Sequence, residues 1–170
     1  HLADSLGRTW QCGTIQLDSQ LPERFELEYT GEDGQKHRPV MVHRVVLGSV
    51  ERFIGVITEH FAGAFPAWLA PVQVKILPVT DRALDYAKDL SDALDGQGFR
   101  VEVDSRNEKV GKKIREATLE KIPYMLVVGD RDMEAGTVSV RTRTGEDLGA
   151  MSLADFSALL RDVVDSKARK

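Results

Sequence analysis

Residues 71–103 read PVQVKILPVTDRALDYAKDLSDALDGQGFRVEV, and the architecture of the second half of the chain follows from them. Val72–Pro78 alternates as a strand with one buried face alternates. Asp81–Leu94 places Leu84, Ala87, Leu90 and Leu94 on one helical face, with Gly96 and Gly98 just past its end. Phe99–Val103 is a second strand. A strand, a helix and a strand in this order imply parallel pairing through a crossover.

The same alternation continues toward the C-terminus. Asn107 is predicted to cap a helix reaching about Lys121, whose inner face holds Val110, Ile114 and Ala117. Pro123 follows it, and Tyr124–Val128 is the continuous apolar run of a buried strand. Thr137–Thr142 alternates after the Ala135-Gly136 turn, near enough to Tyr124–Val128 for antiparallel pairing at one edge. Met151–Val164 carries Leu153, Phe156, Leu160 and Val163 at helical spacing. Residues 71–170 therefore read β-α-β-α-β-β-α: an α/β domain with a mixed, mostly parallel sheet flanked by helices.

Toward the N-terminus the pattern changes. Trp10–Leu17 alternates as a strand and stops at Leu21-Pro22. Phe25–Tyr29 is a second alternating run and Pro39–His43 a third. Leu47, Val50, Ile54, Ile57 and Phe61 then recur at helical spacing over Ser49–Phe61. Residues 62–71 hold two prolines and no steady period, and read as a linker that packs through Phe65, Trp68 and Leu69. The expected division is 1–70 and 71–170.

The 170 residues hold 23 Lys and Arg against 27 Asp and Glu, a net charge of −4. Bulk positive charge therefore does not hold this chain to nucleic acid, although a local basic patch remains open. Residues 106–121 are such a segment, and by count they hold six basic and three acidic residues. Cys12 alone makes no disulfide framework and no cysteine-built zinc finger. No apolar run approaches the roughly 20 residues of a membrane span, and no signal peptide opens the sequence, so the expected setting is reducing and cytoplasmic, with no membrane partner. The first residue, His1, reads as the middle of a longer polypeptide.

Individual side chains point in several directions. In a continuous strand Gln11, Gly13 and Ile15 face one side, with Cys12, Thr14 and Gln16 on the other; glycine there admits a ligand near the backbone. The same pattern also describes an edge strand with solvated polar residues. Gly48-Ser49 opens a helix whose first turn holds Arg52, an arrangement able to receive an anion; Arg52 can equally pair with Glu51 or Glu32. His43 and Cys12 stand at no recognisable zinc spacing. Gly111 inside a helix costs about 1 kcal/mol against alanine, which suggests close approach of a backbone or ligand. Arg141 and Arg143, two apart, can project guanidinium planes from one strand face toward bases.

Six strings together identify a resemblance over essentially the whole chain: WQCGTIQLD at 10–18, PVMVHRVVLGSVERFIGV at 39–56, FPAWLAPVQV at 65–74, RNEKVGKKIREA at 106–117, IPYMLVVGD at 122–130 and VSVRTR at 138–143. They resemble the threonyl-tRNA synthetase family of class II aminoacyl-tRNA synthetases. The resemblance implies that 1–70 is the end of an antiparallel class II catalytic domain, with its last strands and motif 3 helix, and that 71–170 is the anticodon-binding domain.

By the same resemblance, Arg52 contacts the ATP phosphates and adenine as the motif 3 arginine. Gln11 and Thr14 line the ATP and adenylate site, with Gln16 and Ser49 nearby. His43 is one of three protein ligands to a zinc ion that reads the threonine hydroxyl, a group valine lacks. Asn107, Arg115, Asp132 and Arg141 contact anticodon bases; the family often has glutamate where Asp132 stands. The implied reaction is ATP-dependent formation of threonyl-adenylate, with Mg2+ accompanying ATP, and transfer to tRNA(Thr). The whole protein would be a homodimer. The first two class II motifs and the other zinc ligands do not occur in this chain, so alone it is expected to be inactive, with residues 1–70 folding poorly and 71–170 independently. The competing reading is a noncatalytic tRNA-binding module that shares the anticodon-binding domain.

Overall fold

The computed structural model describes residues 1–168, and the chain divides into two compact units, His1–Phe61 and Ala62–Lys170. In the first unit, β1 (Leu2–Ala3) pairs antiparallel with β2 (Thr9–Trp10). After β3 (Thr14–Asp18) comes a short helix, α1 (Gln20–Arg24), then the ribbon of β4 (Tyr29–Thr30) and β5 (Lys36–His37). The strand β6 (Met41–Val45) returns to pair with β3, and α2 (Val50–His60) closes the unit.

Two expectations change here. The run Trp10–Leu17 is not one strand: β2 ends at Trp10 and β3 begins at Thr14. Gln11, Cys12 and Gly13 form the break, and Cys12 turns inward to 5% exposure. Phe25–Tyr29 is not a strand either. Leu21 and Pro22 lie in the first turn of α1, where proline's missing N–H costs nothing, and only Tyr29 enters a strand.

Few side chains of this unit are buried: Asp4, Cys12 and Pro22 among the described residues. One face of the β3–β6 ribbon shows Ile15 and Leu17, each 71% exposed, with Val42 opposite Leu17. The helix α2 has no buried residue, though it is strongly amphipathic. Amphipathic elements with uncovered apolar faces lack the burial that normally stabilises them.

The second unit is a five-stranded sheet. Its strands are β7 (Val74–Pro78), β8 (Val101–Val103), β9 (Tyr124–Val128), β10 (Thr137–Thr142) and β11 (Asp147–Ser152), in spatial order β11-β10-β9-β7-β8. Three strands are parallel; β10 runs antiparallel to both β9 and β11. Every residue of β7 is buried, as a central parallel strand requires. On one face α3 (Leu84–Asp95) and α6 (Leu153–Asp165) bring Ala87, Leu90, Leu94, Phe156 and Leu160 onto the sheet. On the other, α4 (Val110–Leu119) packs Ala117 with Leu77, Ile122 and Met125.

The order read from the sequence lacks two elements found here. The helix α5 (Asp130–Ala135) has six residues, too few for a period to emerge. The strand β11 contains Gly149 at φ +80° and faces a register shift at Val140/Arg141, so its alternation is broken. In consequence α6 starts after a Ser152 cap rather than at Met151. Lys109, not Asn107, occupies the N-cap of α4.

Residues 62–71 are part of this second unit. The Gln73 amide donates to Ala67 O at 2.9 Å and accepts from Arg100 N, while Arg100 Nε donates to Ala70 O at 2.8 Å. The side chain at Gly111 would meet open space, so no backbone crowds that position.

Candidate functional site

Ser49 begins the first constellation. Its hydroxyl caps α2 by accepting Arg52 N–H at 3.3 Å and donates to Glu51 Oε2 at 2.6 Å. That bond holds the Glu51 carboxyl below its ordinary range. Arg52 makes no ion pair among the described residues. The Arg52 guanidinium instead sits 5.7 Å from the Trp10 ring centroid and donates to Gln11 O at 3.4 Å. Trp10 is itself held by Asp4, whose Oδ2 accepts from the indole N–H at 3.0 Å and from Arg8 Nε at 2.7 Å. These bonds, Trp10 foremost, hold the Asp4 carboxyl at about 2.

Thr14, Gln16 and His43 occupy one face of the β3–β6 ribbon, with Gln16 directly opposite His43. His43 Nε2 lies 3.1 Å from Asp18 Oδ2. No group of three or more His, Cys, Asp or Glu among the described residues could hold a metal. His43 is thus a lone donor oriented by a carboxylate, and a zinc site is not complete within these residues.

In the second unit a cavity of about 200 Å³ opens at the carboxyl ends of β7 and β8, lined by Pro78, Thr80, Ser105, Asn107, Glu108 and Lys113 among others. The crevice lies at the carboxyl ends of the parallel strands, the end at which open α/β sheets bind ligands, between the ends of β7 and β8 and beside the β7/β9 switch point. Asn107 is exposed on its rim, and Arg115 is exposed on α4.

Asp132 and Arg141 lie near β10. Asp132 Oδ2 accepts Gly129 N–H at 3.0 Å, and its Oδ1 accepts the hydroxyls of Ser139 at 3.0 Å and Thr137 at 3.4 Å. Arg141 Nη2 pairs with Asp147 Oδ2 at 2.9 Å, both side chains being more than 40% exposed.

A family model for the anticodon binding domain matches residues 73–163. The chain belongs to the anticodon-binding domain family. A second model, the class II tRNA synthetase core domain (G, H, P, S and T), matches residues 1–61. Relatives include the threonine–tRNA ligases of Desulforamulus reducens, 66% identical, and Clostridium novyi, 62% identical, each over 98% of this chain. The chain spans about a quarter of their length, 26% of each. Among solved structures, the RNA binding domain of threonyl-tRNA synthetase from Cryptosporidium parvum superposes with a TM-score of 0.82 at 39% identity, over 95% of this chain and 41% of that one. Among the described residues no helix is long and apolar enough to cross a membrane.

Within the anticodon-binding domain the basic segment is largely consumed internally. Arg106 pairs with Asp104 and Glu116, Lys112 with Glu108, and Lys121 donates to Ala62 O. Lys113 is 4% exposed. Lys109 and Arg115 are left without an ion pair among the described residues. Arg143 falls outside β10 and donates to the carbonyls of Phe65 and Lys121, so it does not share a base-facing role with Arg141. The structure gathers Gln11, Ser49 and Arg52 at the α2 N-terminus, and Thr14, Gln16 and His43 on one ribbon face. Asp4 and Asp104 carry no sequence signal, and Lys113, part of the basic segment 106–121, is buried rather than on its surface. Lys113 had a signal: it stands at helical spacing between Val110 and Ala117, on the apolar side of α4.

Proposed function

We propose that this chain is part of a threonine–tRNA ligase, with residues 1–61 supplying motif 3 of the adenylate site and the second unit reading the anticodon of tRNA(Thr). The reading is carried by one observation. A class II core segment and an anticodon-binding domain follow each other in one chain that is 66% identical to a threonine–tRNA ligase along 98% of its length.

In the first step a carboxylate oxygen of threonine attacks the α-phosphorus of ATP, carried with Mg2+, and pyrophosphate leaves. In the second a hydroxyl of the terminal ribose of tRNA attacks the adenylate carbonyl, and AMP leaves. Arg52 is the residue proposed to offset negative charge at phosphate, a role that its freedom from carboxylate partners supports. Gln11, Thr14, Gln16 and Ser49 line the nucleotide. His43 offers one donor toward zinc; the remaining ligands would come from outside this chain. Adenylate formation is expected only in the complete homodimeric enzyme.

Asn107, Arg115, Asp132 and Arg141 are proposed to contact anticodon bases. Asp132 already accepts three hydrogen bonds, so it has room for about one more. The test is binding of the full chain to a tRNA(Thr) anticodon stem-loop and to one with its second and third anticodon bases changed. Preference for the first loop, reduced in Arg141→Ala, is expected. Equal, salt-sensitive binding of both loops overturns the anticodon assignment.

A further inference from the structure

Lys113 sits where a lysine is disfavoured on two grounds: it is 4% exposed, and it lies near the N-terminus of α4, where a cation opposes the helix macrodipole. Its ammonium donates to Pro78 O at 3.1 Å and to Asp104 O at 3.0 Å. Those two carbonyls belong to the chain just as it leaves β7 and β8, so one side chain ties together the two strand ends that frame the crevice.

Asp104 carries the connection onward. It is 5% exposed, and its carboxylate accepts Arg106 Nε at 2.8 Å and Arg106 Nη2 at 2.6 Å. The Arg106 bonds hold that carboxyl below its ordinary range, with a smaller contribution from the Lys113 charge. Arg106 Nη2 also reaches Glu116 Oε2 on α4 at 2.7 Å. On the other flank of Asn107, Glu108 is paired with Lys112, again on α4, at 2.6 Å. Both neighbours of Asn107 are therefore anchored to the same helix. The Asn107 side chain is exposed, with no hydrogen bond among the described residues.

We propose that Lys113, Asp104 and Arg106 form a bracket of positioning residues that presents Asn107 to a single base at the crevice between the ends of β7 and β8. The bracket touches no RNA; it acts through Asn107. The inference rests on the proposed reading of Asn107 as a base contact and goes beyond it, by assigning what sets the orientation of that contact.

A double-mutant cycle on the full chain tests this, using affinity for the cognate stem-loop relative to the base-changed loop. Asn107→Ala and Lys113→Met are each expected to lower that ratio roughly tenfold, the loss of one good polar base contact. Lys113→Met added to Asn107→Ala is expected to lower it no further. The salt dependence of binding should stay as in the parent, since no phosphate contact is removed. If Lys113→Met does not fold, Arg106→Gln takes its place, because Arg106 is half-exposed and its loss spares the core. Additive losses, an unchanged ratio for the bracket variant, or a salt slope lower by about one counterion overturn the proposal. No effect of Asn107→Ala itself overturns instead the reading on which it rests.

Discussion

Gly48 lies so close to the backbone of Cys12 that a Cβ on it would stand 2.9 Å from the Cys12 carbonyl oxygen, at a φ of +69°. The contact seats the 11–13 break against the start of α2 and lets Arg52 reach Gln11 O. Both the clash and the left-handed backbone exclude a side chain. Gly48→Ala is expected to cost about 1–2 kcal/mol locally. Amide hydrogen exchange of the α2 peptides should quicken by about tenfold relative to peptides of the second unit; unchanged exchange would contradict this role.

The two units should differ sharply in protease resistance. The first buries few side chains and exposes Ile15, Leu17 and Val42, whereas the second has a continuous core on both faces of its sheet. Limited trypsin digestion is expected to degrade residues 1–52 first and leave a fragment that begins at Phe53, because Arg52 is the last cleavable residue before the buried Lys75. A persistent fragment covering 1–52 would refute the expectation.

Lys75 is a buried residue of β7 whose ammonium faces Glu120 and, at 3.5 Å, Glu102. Burial opposes its charge, but the bonds to Glu120 and the attraction of both carboxylates prevail and raise its pKa above the ordinary 10.5. The folded state binds this proton more tightly than the unfolded chain. Its contribution is therefore complete below pH 10.5 and is lost as pH rises through the folded value. Lys75→Met should leave stability at pH 7 within about 1 kcal/mol, because both carboxylates are half-exposed and regain water. Thermal melts of the variant should fall less steeply with pH above that point than those of the parent; parallel curves would show that Lys75 contributes nothing there.

Arg141 is shared between Asp147 and, on the proposed function, an anticodon base. Asp147→Asn keeps an acceptor for Gly149 N–H, which Asp147 Oδ1 holds at 2.9 Å, while removing the competing charge. Stem-loop affinity is expected to rise by up to about fivefold, the worth of one exposed ion pair. Weaker binding in a filter assay would mean that Asp147 orients Arg141 rather than competing for it.

Periodicity alone marks the strands and helices whose residues repeat over several turns or pleats: Val74–Pro78, Tyr124–Val128, α2, α3 and α6. Periodicity is a local property, so it survives in one dimension. It fails where an element is short, as in α5, or interrupted, as at Gly149 in β11. How the charges are used depends instead on the fold. Arg106, Lys112 and Lys113 read as one basic surface, yet Asp104, Glu116 and Glu108 take up the first two and two strand-end carbonyls enclose the third. Which charge remains free depends on what the fold brings within a few ångströms. That adjacency has no period in the chain, and it is what leaves Arg52 beside an indole rather than a carboxylate.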